Sequence, residues 1–271
     1  MWRDTKTIPM GARKMGKQTK GTSGEKGIGT LFQEETKYTP EKLRGHWLDW
    51  NKFPAIYKDY ESPLATIKLP TPEFSGDTNL WELLRRRRSR REYVTERPLP
   101  QGLLSALLWA TQGLTVKYGD MHFRTVPSAG GLFPVETYLS VRAVDGLDPG
   151  IYHFRPHRFD LEYLKRGDYA KPLAQAALGQ EIVAGAQVTF VWSAVLERGK
   201  WKYRERAYRY IYIDAGHVGQ NLYLAAEGLG LGVCTIGAFF DDDVNTIIDV
   251  DGINETVIYM GCVGWPLKDS V

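Results

Sequence analysis

Apolar side chains fall at positions 207, 211, 215, 218, 222 and 225, steps of four, four, three, four and three that keep one stripe of an α-helix apolar. This is the longest regular pattern in the chain, and it predicts a helix from about Tyr203 to Glu227, interrupted by Gly216 and Gly219. A glycine inside a helix costs about 1 kcal/mol relative to alanine, so the pair implies close approach by another helix or by a ligand. A short helix is predicted at "TPEKLRG", with Thr39 as cap and Pro40 in the first position. Another is predicted at "DTNLWELLRRRR", capped by Asp77, with leucines at 80, 83 and 84 forming an apolar face that gives way to arginines. "LPQGLLSALLWATQGL", stopped by Gly113, "DYAKPLAQAALG" and the acid-headed "DDDVNTIIDV" also read as helices.

Strand patterns occupy the remaining regular stretches. "VETYLSVRAV" and "GIYHFRP" alternate about the turn "DGLDPG", as a hairpin does. "AQVTFVWSAVL" is apolar almost throughout, the pattern of a central strand covered on both faces. "GVCTIGAF" and "ETVIYMGCVG" supply two more strands. No internal repeat is present, and the order predicts a mixed α+β fold with an antiparallel hairpin and a buried sheet flanked by helices. Residues 1–30, polar, basic and glycine-rich, read as a flexible leader. Residues 31–76, rich in aromatic and proline residues without sustained periodicity, read as an arm wrapped on the core or a partner, and the main domain is expected over 77–271.

Composition narrows the functional classes. In 271 residues, 43% hydrophobic and 12% aromatic content sustains a core and excludes disorder throughout. A net charge of +3 gives no long-range field and argues against a dedicated nucleic-acid binder. Cys234 and Cys262 lie in apolar runs and read as small buried side chains, and too few thiols and histidines cluster for structural zinc. No run of about 18 apolar residues and no apolar signal-peptide core occurs, so no membrane association and a cytoplasmic location are expected.

The densest local charge is "RRRRSRREY", Arg85 to Tyr93. Nucleic acid, a solvated helix face or an anionic group on a cofactor would each tolerate it. "GLGLGVC" resembles a dinucleotide fingerprint in composition, but it closes a helix and opens a strand where that fingerprint requires the reverse. "RTVPSAGGLFPVE", Arg124 to Glu136, reads as a loop between a helical region and a strand, with so little side-chain bulk that its amides can meet a ligand or simply turn. "KWKYRERAYRYIY" sets Lys202 and Tyr203 at a helix start near Arg206 and Arg209, either as a solvated face or as a proton-transfer pair whose pKa values neighbouring cations and burial lower. His217, one position short of a full turn from Asp214, reads as a helix-packing histidine.

Taken in order, "RRSRREY", "PSAGGLFPVETY", "WKYRERAYRY", "DAGHVGQNLYLAAEGLGLG" and "VCTIGAF" resemble the flavin-dependent nitroreductase superfamily, specifically its SagB-type dehydrogenase branch, over about Asn79 to Pro266. The arm "FQEETKYTPEKLRGHWLDW" resembles that branch too. The resemblance implies an α+β nitroreductase-like flavoprotein fold with a mostly antiparallel central sheet, and a homodimer with FMN at the subunit interface. It implies that Arg87, Arg88, Ser89 and Arg91 hold the FMN phosphate, ribityl chain and pyrimidine edge, a use suited to bidentate guanidinium. It places Pro127, Ser128, Ala129 and Gly131 over the flavin from the other subunit, passes Gly232 to Gly237, with Thr235, Ile236 and Gly237, beside it, and gives Lys268 a second phosphate contact. Ordinary nitroreductases carry amide side chains in the loop where this chain has Gly131-Leu132-Phe133-Pro134-Val135. Lys202-Tyr203 matches the Lys-Tyr pair of azoline oxidases in the branch, which implies oxidation of azoline rings to azoles on a small-molecule or peptide substrate. An NAD(P)H-dependent nitro or quinone reductase and a partner subunit of a peptide-modifying complex are the alternatives. Arg85, Arg86 and Arg90 match no contact position.

Overall fold

The computed structural model describes residues 26–72, 79–118 and 121–267. Its centre is a sheet of strands β1 (Ala65–Lys68), β4 (Val135–Val141), β5 (Gly150–Arg155), β6 (Asp160–Arg166), β7 (Val188–Val195), β8 (Gly232–Ile236) and β9 (Glu255–Gly264), in the order β1-β6-β5-β4-β7-β9-β8. Every neighbouring pair runs antiparallel. Strands β2 (Leu114–Tyr118) and β3 (Met121–Arg124) form a separate hairpin, so the segment entering the loop at Arg124 is strand where helix was expected. The helices are α1 (Ile28–Glu35), α2 (Pro40–Leu43), α3 (Leu80–Arg86), α4 (Gln101–Gln112), α5 (Ala170–Ala176), α6 (Glu181–Gly185), α7 (Leu196–Tyr203), α8 (Ala207–Gly228) and α9 (Asp241–Ile248).

Strand β7 is buried along nearly its whole length because both faces of the sheet are covered. Phe190 and Trp192 pack with Leu107 and Leu108 of α4 and Val218 and Leu222 of α8, while Val191 between them packs with Leu173 of α5 and Val244 and Ile248 of α9. The same two-sided cover buries β4 and β5 at every position. Cys234 and Cys262 are buried and free.

The α8 stripe is buried at Ala207, Ile211, Ala215, Val218 and Leu222, as its spacing required. The helix does not begin at Tyr203, however. Helix α7, unmarked by any apolar stripe, ends there, Arg204 turns to φ 50°, and α8 starts at Ala207. Tyr203 therefore closes one helix and does not open the next. Gly219 permits close approach, since a Cβ there would lie 2.8 Å from the Tyr259 ring, whereas Gly216 faces open space. His217 is exposed among the described residues, where a helix-packing side chain was expected.

Thr39 caps α2 through Lys42 N (3.2 Å), with Pro40 in first position. On α3 the cap is Asn79, which accepts from Glu82 N at 3.0 Å; Asp77 lies outside the described residues. Residues 28–30, assigned to the leader, are helical, and residues 65–68 of the arm form an edge strand paired with β6.

Candidate active site

The arginine run splits at the end of α3. Arg85 and Arg86 are helical and each has a carboxylate: Arg85 Nη2 is 2.7 Å from Glu82 and Arg86 Nε is 3.2 Å from Glu227. From Arg87 the chain is extended and lies along the open side of β8, where Ser89 pairs with Val233 and Arg90 N donates to Val233 O at 2.8 Å. An exposed edge strand is covered in this way. Gly232 makes the approach possible, because a Cβ there would be 2.8 Å from the Arg90 Cβ.

In this extended part Arg87, Arg88 and Arg91 find no carboxylate among the described residues. Arg87 lies 5.2 Å over the Tyr223 ring, Arg88 donates to the carbonyls of Arg85 and Arg87, and Arg91 reaches Ser89 O at 3.5 Å. Ser89 Oγ is 2.9 Å from Tyr223 Oη, which accepts from Thr235 N at 3.0 Å, and Tyr259 Oη donates to Thr235 Oγ1 at 2.6 Å. Thr235 thus belongs with the arginine segment. Ile236 is 3% exposed and packed in the core, so only its backbone faces outward, while Gly237 is open. Lys268 lies outside the described residues.

A second cluster forms at the other end of α8. Ser128 Oγ donates to Asp214 at 2.6 Å, the Ala129 N–H points at the same carboxylate at 3.2 Å, and Phe133 N donates to Ser128 Oγ at 3.0 Å. Burial outweighs these bonds and raises the Asp214 carboxyl above its ordinary value. The Ser128 side chain is spent on the loop's own shape. Gly130 and Gly131 sit at φ 66° and 67°, a conformation that glycine adopts without strain. A Cβ on Gly130 would lie 2.5 Å from Tyr203 Oη and 3.0 Å from Lys202 Nζ, so the predicted loop and the predicted Lys-Tyr pair meet in one chain. The Tyr203 phenol is not lowered toward neutrality, as cation neighbours suggested; burial, then Tyr210 and Asp214, raise it.

Behind the loop lies a buried ionic network that the sequence did not reveal. Arg198 of α7, 2% exposed, donates to Ala55 O of the arm at 2.7 Å, to Phe133 O at 3.1 Å and to Glu136 at 2.6 Å. His153 stands between Glu136 (3.0 Å) and Glu162 (2.8 Å). Burial alone would raise Glu136, but Arg198, His153 and Arg124 outweigh it and hold the carboxyl at about 2. Burial would likewise lower His153, but its two carboxylates raise it. The arm also grips α7 and α8: His46 Nε2 is 2.9 Å from Lys202 O, Trp201 donates to Asp49 O at 2.9 Å, and Arg209 donates to Thr36 Oγ1 at 2.7 Å.

Asp214 and Tyr223, the anchors of the two clusters, are nine residues apart, about 14 Å along the helix and half a rotation around it. Within one chain the arginine segment and the 127–131 loop therefore sit on opposite flanks of α8. Between them the helix shows exposed Ile213 and His217 and the open Gly216.

The antiparallel sheet, with a basic segment on its edge strand and a glycine loop beside a Lys-Tyr pair, defines an α+β oxidoreductase of nitroreductase architecture. The chain belongs to the nitroreductase family, whose model matches residues 84–265. It is 37% identical over 185 residues, 68% of this chain and 91% of the relative, to a Methanocaldococcus jannaschii protein that carries a nitroreductase name. It is 30% identical over 145 residues to the trifolitoxin-processing protein TfxB of Rhizobium leguminosarum bv. trifolii, covering 52% of this chain and 39% of TfxB. A solved structure from Anabaena variabilis, also named as a nitroreductase, superposes with TM-score 0.72 at 29% identity, covering 88% of this chain and 46% of that one. No helix among the described residues is long and apolar enough to cross a membrane.

Proposed function

We propose that the protein is an FMN-dependent oxidoreductase of the SagB-type dehydrogenase kind, acting as a homodimer. The observation that carries this reading is the division of the arginine run: Arg85 and Arg86 have carboxylates, while Arg87, Arg88 and Arg91 have none among the described residues. Guanidinium groups without counter-charge, held against a strand edge and beside Ser89, suit the phosphate and the electron-rich pyrimidine edge of FMN. The 127–131 loop on the opposite flank of α8 would complete the pocket from a second copy. The exposed apolar groups of α3 and α8 support this: Leu80, Trp81, Leu84, Tyr212 and Ile213 are 44–78% exposed in the single chain.

When bound, FMN supplies a two-electron acceptor at N5. Lys202, as the free amine, would take the proton from one carbon of an azoline ring as hydride leaves the neighbouring ring carbon for the flavin, the step by which the ring becomes an azole. Tyr203, its phenol raised and so protonated at neutral pH, would donate a hydrogen bond beside it. The Gly130 turn sets both polar ends against the loop. The name of TfxB supports a peptide substrate. The nitroreductase name of the M. jannaschii relative favours NAD(P)H-dependent nitro or quinone reduction as the second reading, although no amide side chain occupies Gly131 to Val135 of the loop.

The direct test is spectroscopic. Purified protein should be yellow and release FMN on denaturation, and colourless protein that cannot be reconstituted would overturn the reading. Lys202→Ala should keep its flavin and lose about 10²–10⁴ in turnover, the usual worth of a positioned acid or base. Rapid bleaching by NAD(P)H with turnover of a nitroaromatic would favour the second reading.

A further inference from the structure

Where the arm crosses the turn between α7 and α8, it encloses a cleft of about 240 Å³ that reaches Lys202 and Tyr203 and whose arm side the redox reading does not use. One wall is the arm from Glu35 to His46, and the other is Lys202 to Arg206. Four cations besides Lys202, and two carboxylates, line it, with Tyr38, Leu43 and Tyr203 between them. The charges are not mutually satisfied. Lys42 pairs with Glu35 at 3.8 Å, but Lys37 and Arg204 have no carboxylate among the described residues, and Arg206 is spent on Thr36 O and the Tyr38 and Tyr210 rings. Glu205 is the one lining carboxylate without an ion pair among them, so the excess remains positive.

Two features mark this as a built site. His46 Nε2 donates to Lys202 O and leaves Nδ1 as a buried acceptor without a partner among the described residues, open to an N–H or O–H of a ligand. Such an atom ordinarily finds a hydrogen bond. Arg204, which lines the cleft, stands at φ 50°, a backbone conformation that a residue other than glycine adopts only at a cost. Aromatic and aliphatic walls with a few convergent polar groups are the composition of small-molecule sites, and 240 Å³ lies just under their usual range of roughly 300–1,000 Å³.

We propose that this cleft binds a carboxylate-bearing segment of the substrate, with Lys37 and Arg204 as the anion-binding groups and the arm as one wall of the substrate site. The inference rests on the proposed role of Lys202 and Tyr203, which stand between this cleft and the Gly130 loop. It names a substrate class: an acid whose carboxylate is held by the arm while the carbon to be oxidised reaches past Tyr203.

The test uses the full-length, flavin-loaded protein with hippurate and its uncharged analogue hippuramide, titrated by calorimetry and by saturation-transfer NMR. Hippurate should bind, hippuramide should bind about tenfold more weakly or worse, and the hippurate affinity should fall as salt is raised. Lys37→Gln and Arg204→Gln should each weaken hippurate several-fold while flavin content stays that of the parent. Equal affinity for acid and amide, no hippurate binding by protein that holds flavin, or unchanged affinity in both variants would overturn the proposal. Protein that holds no flavin yet binds hippurate through Lys37 and Arg204 would sink the redox reading and leave the cleft standing.

Discussion

Arg198 and Arg88 carry the same side chain under opposite conditions. Arg198 is buried at 2% exposure and its donors go to Ala55 O, Phe133 O and Glu136. Arg88 lies at the surface and, among the described residues, donates to carbonyls of its own segment. A buried guanidinium needs acceptors to replace its water, and Arg198 has two carbonyls and a carboxylate. Arg87, Arg88 and Arg91 lack a carboxylate among the described residues, a charge that an anionic ligand would supply. Arg198 is paired within the fold, whereas Arg87, Arg88 and Arg91 have no carboxylate among the described residues.

The sharpest way to break the comparison is to remove the buried member. Arg198→Met leaves Glu136 and His153 without their outer partner, and a broken buried pair costs about 3–5 kcal/mol, to be read from chemical denaturation. A mild loss, within about 1 kcal/mol, would mean that the network is wetter than its burial indicates.

The pH dependence of unfolding tests the same network without mutation. Glu136 is held at about 2 against an ordinary 4.5, so its contribution is present above 4.5 and lost as pH falls toward 2. His153 is raised above 6.5, so its contribution is present below that value and lost as pH rises through the raised one. Stability should therefore fall on both sides of a plateau, and His153→Gln should remove the alkaline limb.

At the exposed segment the effect should move from stability to ligand. Arg87→Ala should weaken flavin retention by tenfold or more, the worth of roughly 1.5–3 kcal/mol for a lost charged hydrogen bond, with the denaturation midpoint nearly unchanged. Smallest of all should be Arg85→Ala. Its partner Glu82 is one helical turn away in solvent, so neither flavin content nor midpoint should change measurably.

How much of this was legible depended on whether the partners were close in sequence. The α8 stripe, the Thr39 cap and the apolar β7 carry local signals, and the structure follows them. Strand β6 and helix α7 carried none strong enough, because "DLEYLKR" and "LERGKWKY" are held by pairing and by buried charge and not by an apolar period. Asp214 was visible as a residue, but its role depends on Ser128, 86 positions away. The arginine run was visible at once, yet only the ends of Glu82 and Glu227 reveal which of its members are already satisfied.

The central claim is that the arginine segment of one copy and the 127–131 loop of another enclose the same flavin. Intersubunit complementation tests it most directly. Arg87→Glu removes one half-site, and Gly130→Val, whose Cβ would collide with Tyr203 Oη, distorts the other. Each variant alone should be poor in flavin, whereas co-expressed mixed dimers should regain flavin at one of their two sites, read by absorbance after denaturation. Mixed dimers as empty as the parents, or Gly130→Val protein that keeps its full flavin, would contradict it.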